Sequence, residues 1–203
     1  MTIRNTNNDS PDQPTNHRPI PKVFFDDLTG AMMRHCISCE QDLLENQSPY
    51  FIEKAIKPHL GYQAYATIFE YAMCFKCMDT HKNKISKSSL ANINQFFMEH
   101  VDVSRRQYLV AHELYDDLDL WMGHCLVTDK HVTAIGECQI YAQCLGDQLV
   151  MGDYPYMISS EALDAVVNLL SNETIDEFNK LKDELVGPPA FQDLLKDGPR
   201  VLL

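Results

Sequence analysis

The chain's apolar residues follow two different periods, and the change between them predicts its elements. Residues 50–56 and 64–73 are runs rich in aromatic and β-branched side chains, separated by the turn-forming Lys57-Pro58-His59-Leu60-Gly61. They predict a β-hairpin. After Cys77 the period lengthens, with Leu90, Ile93, Phe96 and Phe97 spaced by three and four behind Ser88 and Ser89, either of which can cap a helix. Residues 104–122 carry Leu109, Val110, Leu114, Leu118 and Trp121 and predict a further helix, and residues 23–34 predict a short amphipathic one.

The pattern then repeats. Met33-Arg34-His35-Cys36 recurs as Met122-Gly123-His124-Cys125, 89 positions on, and residues 50–54 are echoed by residues 139–143 at the same interval. A four-residue deletion in the hairpin reduces the interval to 85, which aligns residues 69–74 with 154–159, and Leu90, Ile93, Phe96 and Val101 with Ile175, Phe178, Leu181 and Val186. The expectation is an α+β protein built by tandem duplication of a knuckle, a hairpin and a helix. Its predicted organisation is a disordered tail over 1–21, a metal-binding unit over 22–103, a connecting helix over 104–124, a degenerate metal-free repeat over 125–187 and a C-terminal tail over 188–203. In that tail Phe191, Leu194 and Leu195 either pack back onto the domain or dock on a partner.

Candidate chemistry centres on Cys36-Ile37-Ser38-Cys39 and Cys74-Phe75-Lys76-Cys77. Each C-x-x-C pair can place two thiolates on one face of a tight turn, and two pairs supply the four sulfurs that tetrahedral zinc prefers. Four thiolates also suit iron. A redox dithiol would need a thioredoxin-like βαβ setting, which this pattern lacks. One structural Zn2+ on Cys36, Cys39, Cys74 and Cys77 is the expectation. The knuckle, the hairpin and the helix that opens with the second pair together resemble the treble-clef class of zinc fingers, over residues 36 to about 101. That resemblance concerns the fold and names no narrower family. The 34 residues between Cys39 and Cys74 imply a longer hairpin than compact sites of this kind contain.

In the second unit Cys125, Thr128, Ser159 and Ala162 stand where the first has its cysteines. Cys125, Cys138 and Cys144 are therefore read as packing thiols, and His35, His81 and His124 as neighbours of the sites and not ligands. A unit without metal must replace the metal's folding energy by apolar packing, for which Met151, Ile158, Leu163, Val166 and Val167 are candidates.

Charge narrows the partners. The 203 residues hold 17 basic and 29 acidic side chains, a formal net charge of −12. A surface of that sign repels the phosphates that dominate nucleic-acid affinity, even with Lys82, Lys84 and Lys87 close together. Residues 1–21 resemble neither a signal peptide nor an anchor, and no apolar run approaches membrane length, so no membrane association is expected. Thiol usage points to the cytoplasm.

No catalytic residue is assigned, because four cysteine ligands close a metal to water. The expected function is a non-enzymatic zinc-binding protein that acts as a protein-interaction or scaffolding module, in an oligomeric state the sequence does not specify. Two alternatives stand beside it. One is a metal-dependent hydrolase using His112 and Glu113, with Asp116 where H-E-x-x-H has its second histidine. The other is an acidic inhibitor or immunity-type protein that covers a basic partner.

Overall fold

The computed structural model describes residues 16–59 and 64–186. Its centre is a six-stranded antiparallel sheet of β1 (His17–Pro19), β2 (Pro49–Pro58), β3 (Tyr65–Cys74), β4 (Cys138–Leu145), β5 (Gln148–Val150) and β6 (Tyr156–Ser159). The order is β1-β5-β4-β2-β3, and β6 shares with β5 the edge of β4 that faces away from β2. The two middle strands come from the two halves of the sequence and pair along their length, from Pro49↔Leu145 to Ile56↔Cys138. Residues 52–56 are buried in succession, because β2 is flanked on both edges and covered on both faces.

Among the described residues, six helices complete the mixed α+β fold: α1 (Phe75–Lys82), α2 (Lys87–His100), α3 (Val103–Ala111), α4 (Asp119–Met122), α5 (Ser160–Val167) and α6 (Asn172–Val186). None of the described helices is long and apolar enough to cross a membrane.

Hydrogen bonds recur at the predicted intervals. The first knuckle closes with Cys36 N–H donating to Gln41 O at 3.0 Å and Glu40 N–H to Cys36 O at 2.8 Å. The second closes with Cys125 N–H to Lys130 O and Asp129 N–H to Cys125 O, both at 2.9 Å. The turning residues, Glu40 and Asp129, both take left-handed φ values, 59° and 54°. Each knuckle is then tied to the strand that leads into its helix, through Ile37 N–H to Ala72 O in one half and Leu126 N–H to Met157 O in the other. The N-caps of α2 and α6, Ser86 and Ser171, are also 85 positions apart, and they meet: their Oγ atoms lie 3.0 Å apart. Ser86 N–H donates to Thr174 Oγ1 at 3.0 Å, and Ser171 N–H donates to Ser89 Oγ at 2.9 Å. The contact is reciprocal, as in an isologous interface.

Several expectations change. Tyr50 pairs with Cys74 and Cys138 pairs with Ser159, so the middle strands correspond at 88 positions, and a second one-residue gap lies in the loop before them. Residues 23–34 are not a helix. A 3-10 turn at Lys22–Phe24 gives way to a loop closed by a Phe25↔Met32 bridge, with Gly30 at φ 67° and the Asp26 carboxylate accepting from Thr29 N–H. Within the predicted tail, residues 17–19 form β1 on the edge of β5, anchored by buried Ile20. The connecting helix is broken between α3 and α4, where Glu113 takes φ 51° and the buried Tyr115 and Trp121 turn the chain inward. The cap of α2 is Ser86, two or three residues earlier than expected. Residues 1–15 of the tail, part of the hairpin turn and the C-terminal tail lie outside the described residues.

Candidate metal centre

Four side chains from two separate segments meet at the end of the β2–β3 hairpin. The knuckle presents Cys36 and Cys39, β3 ends on Cys74, and Cys77 sits in the first turn of α1 with Cys74 at its N-cap. All four Sγ atoms lie within 4.8 Å of one another. Cys39 and Cys74 are 3.9 Å apart at sulfur. An ion at tetrahedral Zn–S distances of about 2.3 Å separates its sulfurs by about 3.8 Å, so the Cys39–Cys74 pair already has the spacing such an ion needs and the other sulfurs lie within about 1 Å of it. A disulfide would need about 2.0 Å, and all four cysteines are free. The arrangement can hold a metal ion.

Electrostatics favour thiolates in part of the cluster. Burial pushes the Cys36 thiol up, but N–H donors from Cys74, Cys39 and Ser38 outweigh it and bring it down to about 7. The Cys74 donor lies 3.4 Å from Cys36 Sγ. For Cys77, burial and the neighbouring sulfurs dominate and push the thiol up to about 12 in the absence of a cation. A metal ion reverses that balance, because a coordinated thiol is deprotonated outright.

In the second half the corresponding positions also come together, with different chemistry. Ser159 N–H and Thr128 N–H approach Cys125 Sγ at 3.3 and 3.4 Å, and Ser159 Oγ lies 3.4 Å from the same sulfur. Ser159 Oγ also caps α5 by accepting from Ala162 N–H at 3.3 Å. Thr128, Ser159 and Ala162 thus stand at the positions that match three of the four cysteines. The helices differ accordingly: α5 buries Ala162, Leu163, Val166 and Val167, whereas α1, with Cys77, Met78, His81 and Lys82 at the matching positions, fully buries none of its side chains. One helix is held by apolar packing. The other rests on the sheet through Phe75, stacked on Phe51 at 4.4 Å, and through the partly buried Cys77 and Met78.

Cys138 and Cys144 lie in β4, both buried, and burial pushes each thiol up to about 12. Among the described residues, the group of potential ligands contains neither them nor Cys125. We expect Cys138→Ser or Cys144→Ser to lower stability by about 1–3 kcal/mol through an added buried hydroxyl. Metal content, measured by elemental analysis, should not change.

His112, Glu113 and Asp116 do not form a site. A shared metal would need them on consecutive turns of one helix, but α3 ends at Ala111 and the left-handed Glu113 turns the chain away. His112 stacks on Tyr108 with its Nδ1 2.9 Å from Tyr108 O, and Asp116 pairs with Arg18 at 2.5 Å.

Sequence reading missed a buried ionic cluster. Lys54, fully buried on β2, places its Nζ 2.7 Å from Glu70 Oε2, 2.8 Å from Asp27 Oδ1 and 2.7 Å from the Phe25 carbonyl. Its only sequence signal is a lysine within an apolar strand. No family model, curated protein or solved structure matches the chain.

Proposed function

We propose that the chain is a non-enzymatic zinc-binding protein that acts as a protein-interaction or scaffolding module, with one structural Zn2+ on Cys36, Cys39, Cys74 and Cys77. The observation that carries this reading is the closed four-sulfur cluster, all within 4.8 Å, which leaves no ligand position for water or substrate. Zinc is favoured over iron because a knuckle and a helix N-terminus are the usual supports of structural zinc, as in treble-clef domains. Free thiols throughout suit a reducing compartment such as the cytoplasm.

We further propose that the two halves arose by tandem duplication and that the second lost its metal. Support comes from the matching knuckle bonds, the matching capping serines and the four apolar residues that α5 has gained where α1 has none buried. Protein purified without added metal should contain about one zinc per chain. Iron, or folded protein without metal, would refute the assignment.

The partner is read as protein and not nucleic acid, from the net charge of −12. No duplex or single-strand binding is expected at micromolar concentrations in about 150 mM salt. Binding that charge reversal at Lys82, Lys84 and Lys87 abolishes would overturn this part.

A further inference from the structure

The two knuckles have equivalent inner faces, but among the described residues a helix covers only one of them. On the second, α3 lies across the knuckle and leaves a residual cavity of about 200 Å3 whose lining includes Arg105, Arg106, Leu109, Trp121 and His124. Arg106 is the centre of that contact. Its guanidinium donates to Pro155 O at 2.7 Å and to Trp121 O at 3.3 Å, and it lies 5.0 Å from the Trp121 ring and 6.0 Å from the Tyr156 ring. Leu109 is buried beside it.

At the same intervals, Trp121 corresponds to Met32, Pro155 to Glu70 and Tyr156 to Tyr71. Met32, Glu70 and Tyr71 line an open groove of about 710 Å3 beside the first knuckle, together with Met33, Ile37 and Leu44. The residues 89 positions before Arg105 to Leu109 are 16–20, and they run along β5 at the far side of the sheet as β1. The first half therefore has no α3 of its own among the described residues.

We propose that this groove docks an amphipathic helix of a partner protein that carries an arginine and a leucine as α3 does. The structure specifies that occupant in two ways. The equivalent face shows the shape of what covers it, an arginine packed over a tyrosine with a leucine one turn on. Charge supplies the second: Asp26 and Glu40 border the groove, the Glu70 charge there is balanced by Lys54, and the bordering cation Arg34 is already paired with Asp42 at 2.6 Å and Glu45 at 2.5 Å. His35 also lines it. An arriving guanidinium meets the Asp26 and Glu40 carboxylates and the half-buried Met32 side chain. The inference rests on the protein-interaction reading above and names the class of partner.

The test uses the zinc-loaded full chain with 13C-labelled methionine methyls. The probe is a helical peptide with the sequence of residues 102–112, stapled between its Ser104 and Tyr108 positions, which are exposed in α3 and leave Arg106 and Leu109 free. Saturable shifts of the Met32 and Met33 methyls are expected, with Kd below about 100 μM. Arg106→Ala or Leu109→Ala in the peptide should each weaken binding about 10-fold or more. Three results would overturn the proposal: no shift up to millimolar peptide, equal shifts with the substituted peptides, or shifts confined to Met122, Met151 and Met157 of the second half. Zinc is measured on the same samples. A failure at one zinc per chain removes the groove and leaves the metal assignment standing, whereas absent zinc removes the latter.

Discussion

Cys74→Ser is expected to reduce bound metal from about one ion per chain to a small fraction and to lower Tm by about 10–20 °C. Structural zinc contributes about 10–16 kcal/mol to the folding of isolated finger peptides. Only part of that is expected here, because the sheet and the second half have an apolar core of their own. A loss of about 5 kcal/mol corresponds to about 10–20 °C for a chain of this size. The damage should be local. Without the ion, the knuckle and α1 lose their common tether, and α1 is left with the Phe75–Phe51 stack and the partly buried Met78 to hold it. Hydrogen exchange should accelerate in residues 36–41 and 75–82 and stay slow in α5. The control is Ser159→Ala at the matching position, where the loss is a helix cap worth about 1 kcal/mol with metal content unchanged. Equal Tm losses in the two variants would contradict the division into a metal-held and a packing-held half.

Lys54→Met is expected to cost about 3–5 kcal/mol, read as a lower urea midpoint with an unchanged m-value. Removing the ammonium leaves the Glu70 carboxylate, only 16% exposed, without its cation, together with Asp27 and the Phe25 carbonyl. Glu70 also holds the preceding loop by accepting from Asp27 N–H at 2.8 Å, so the loss should spread into residues 25–32. Adding Glu70→Gln to Lys54→Met should recover part of the stability, because it removes the stranded charge. Burial pushes the Lys54 ammonium down, but its bonds to Asp27 and Glu70 outweigh it and hold its pKa above the ordinary 10.5. A folded pKa above the unfolded one means that this contribution is complete below pH 10.5 and is lost as pH rises through the folded value. Lys54→Met should therefore flatten the alkaline limb of the stability profile. An undiminished alkaline limb would show that the cluster does not carry this dependence.

Local chemistry was legible in the sequence because its signals are short-ranged. Two C-x-x-C spacings, a turn between two β-prone runs and the periodic apolar positions of α2 each depend on neighbours a few residues apart. From these alone follow the four clustered thiols, the β2–β3 hairpin and the helix opened by the second pair. The 85-residue interval has structural counterparts: the Ser86 and Ser171 side chains both cap a helix, and the backbone carbonyls of Asp79 and Asp164 both accept the closing bond of theirs.

What the tertiary structure alone decided is how distant segments meet. Pairing of β2 with β4 makes one sheet of the two halves, and since backbone hydrogen bonds between strands carry no sequence code, neither its existence nor its register could be read beforehand. The one-residue gap before the middle strands appears only through that register. Helix propensity over residues 104–122 was overridden because burying Tyr115 and Trp121 requires a turn at Glu113, and buried aromatic area outweighs a few tenths of a kcal/mol per residue of propensity. Lys54 reads as a misplaced charge until Asp27 and Glu70, 27 positions before it and 16 after it, are brought to its ammonium. The same holds for the groove beside the first knuckle: its residues are present in the sequence, but that no described helix covers it follows from β1, which crosses to the far edge of the sheet.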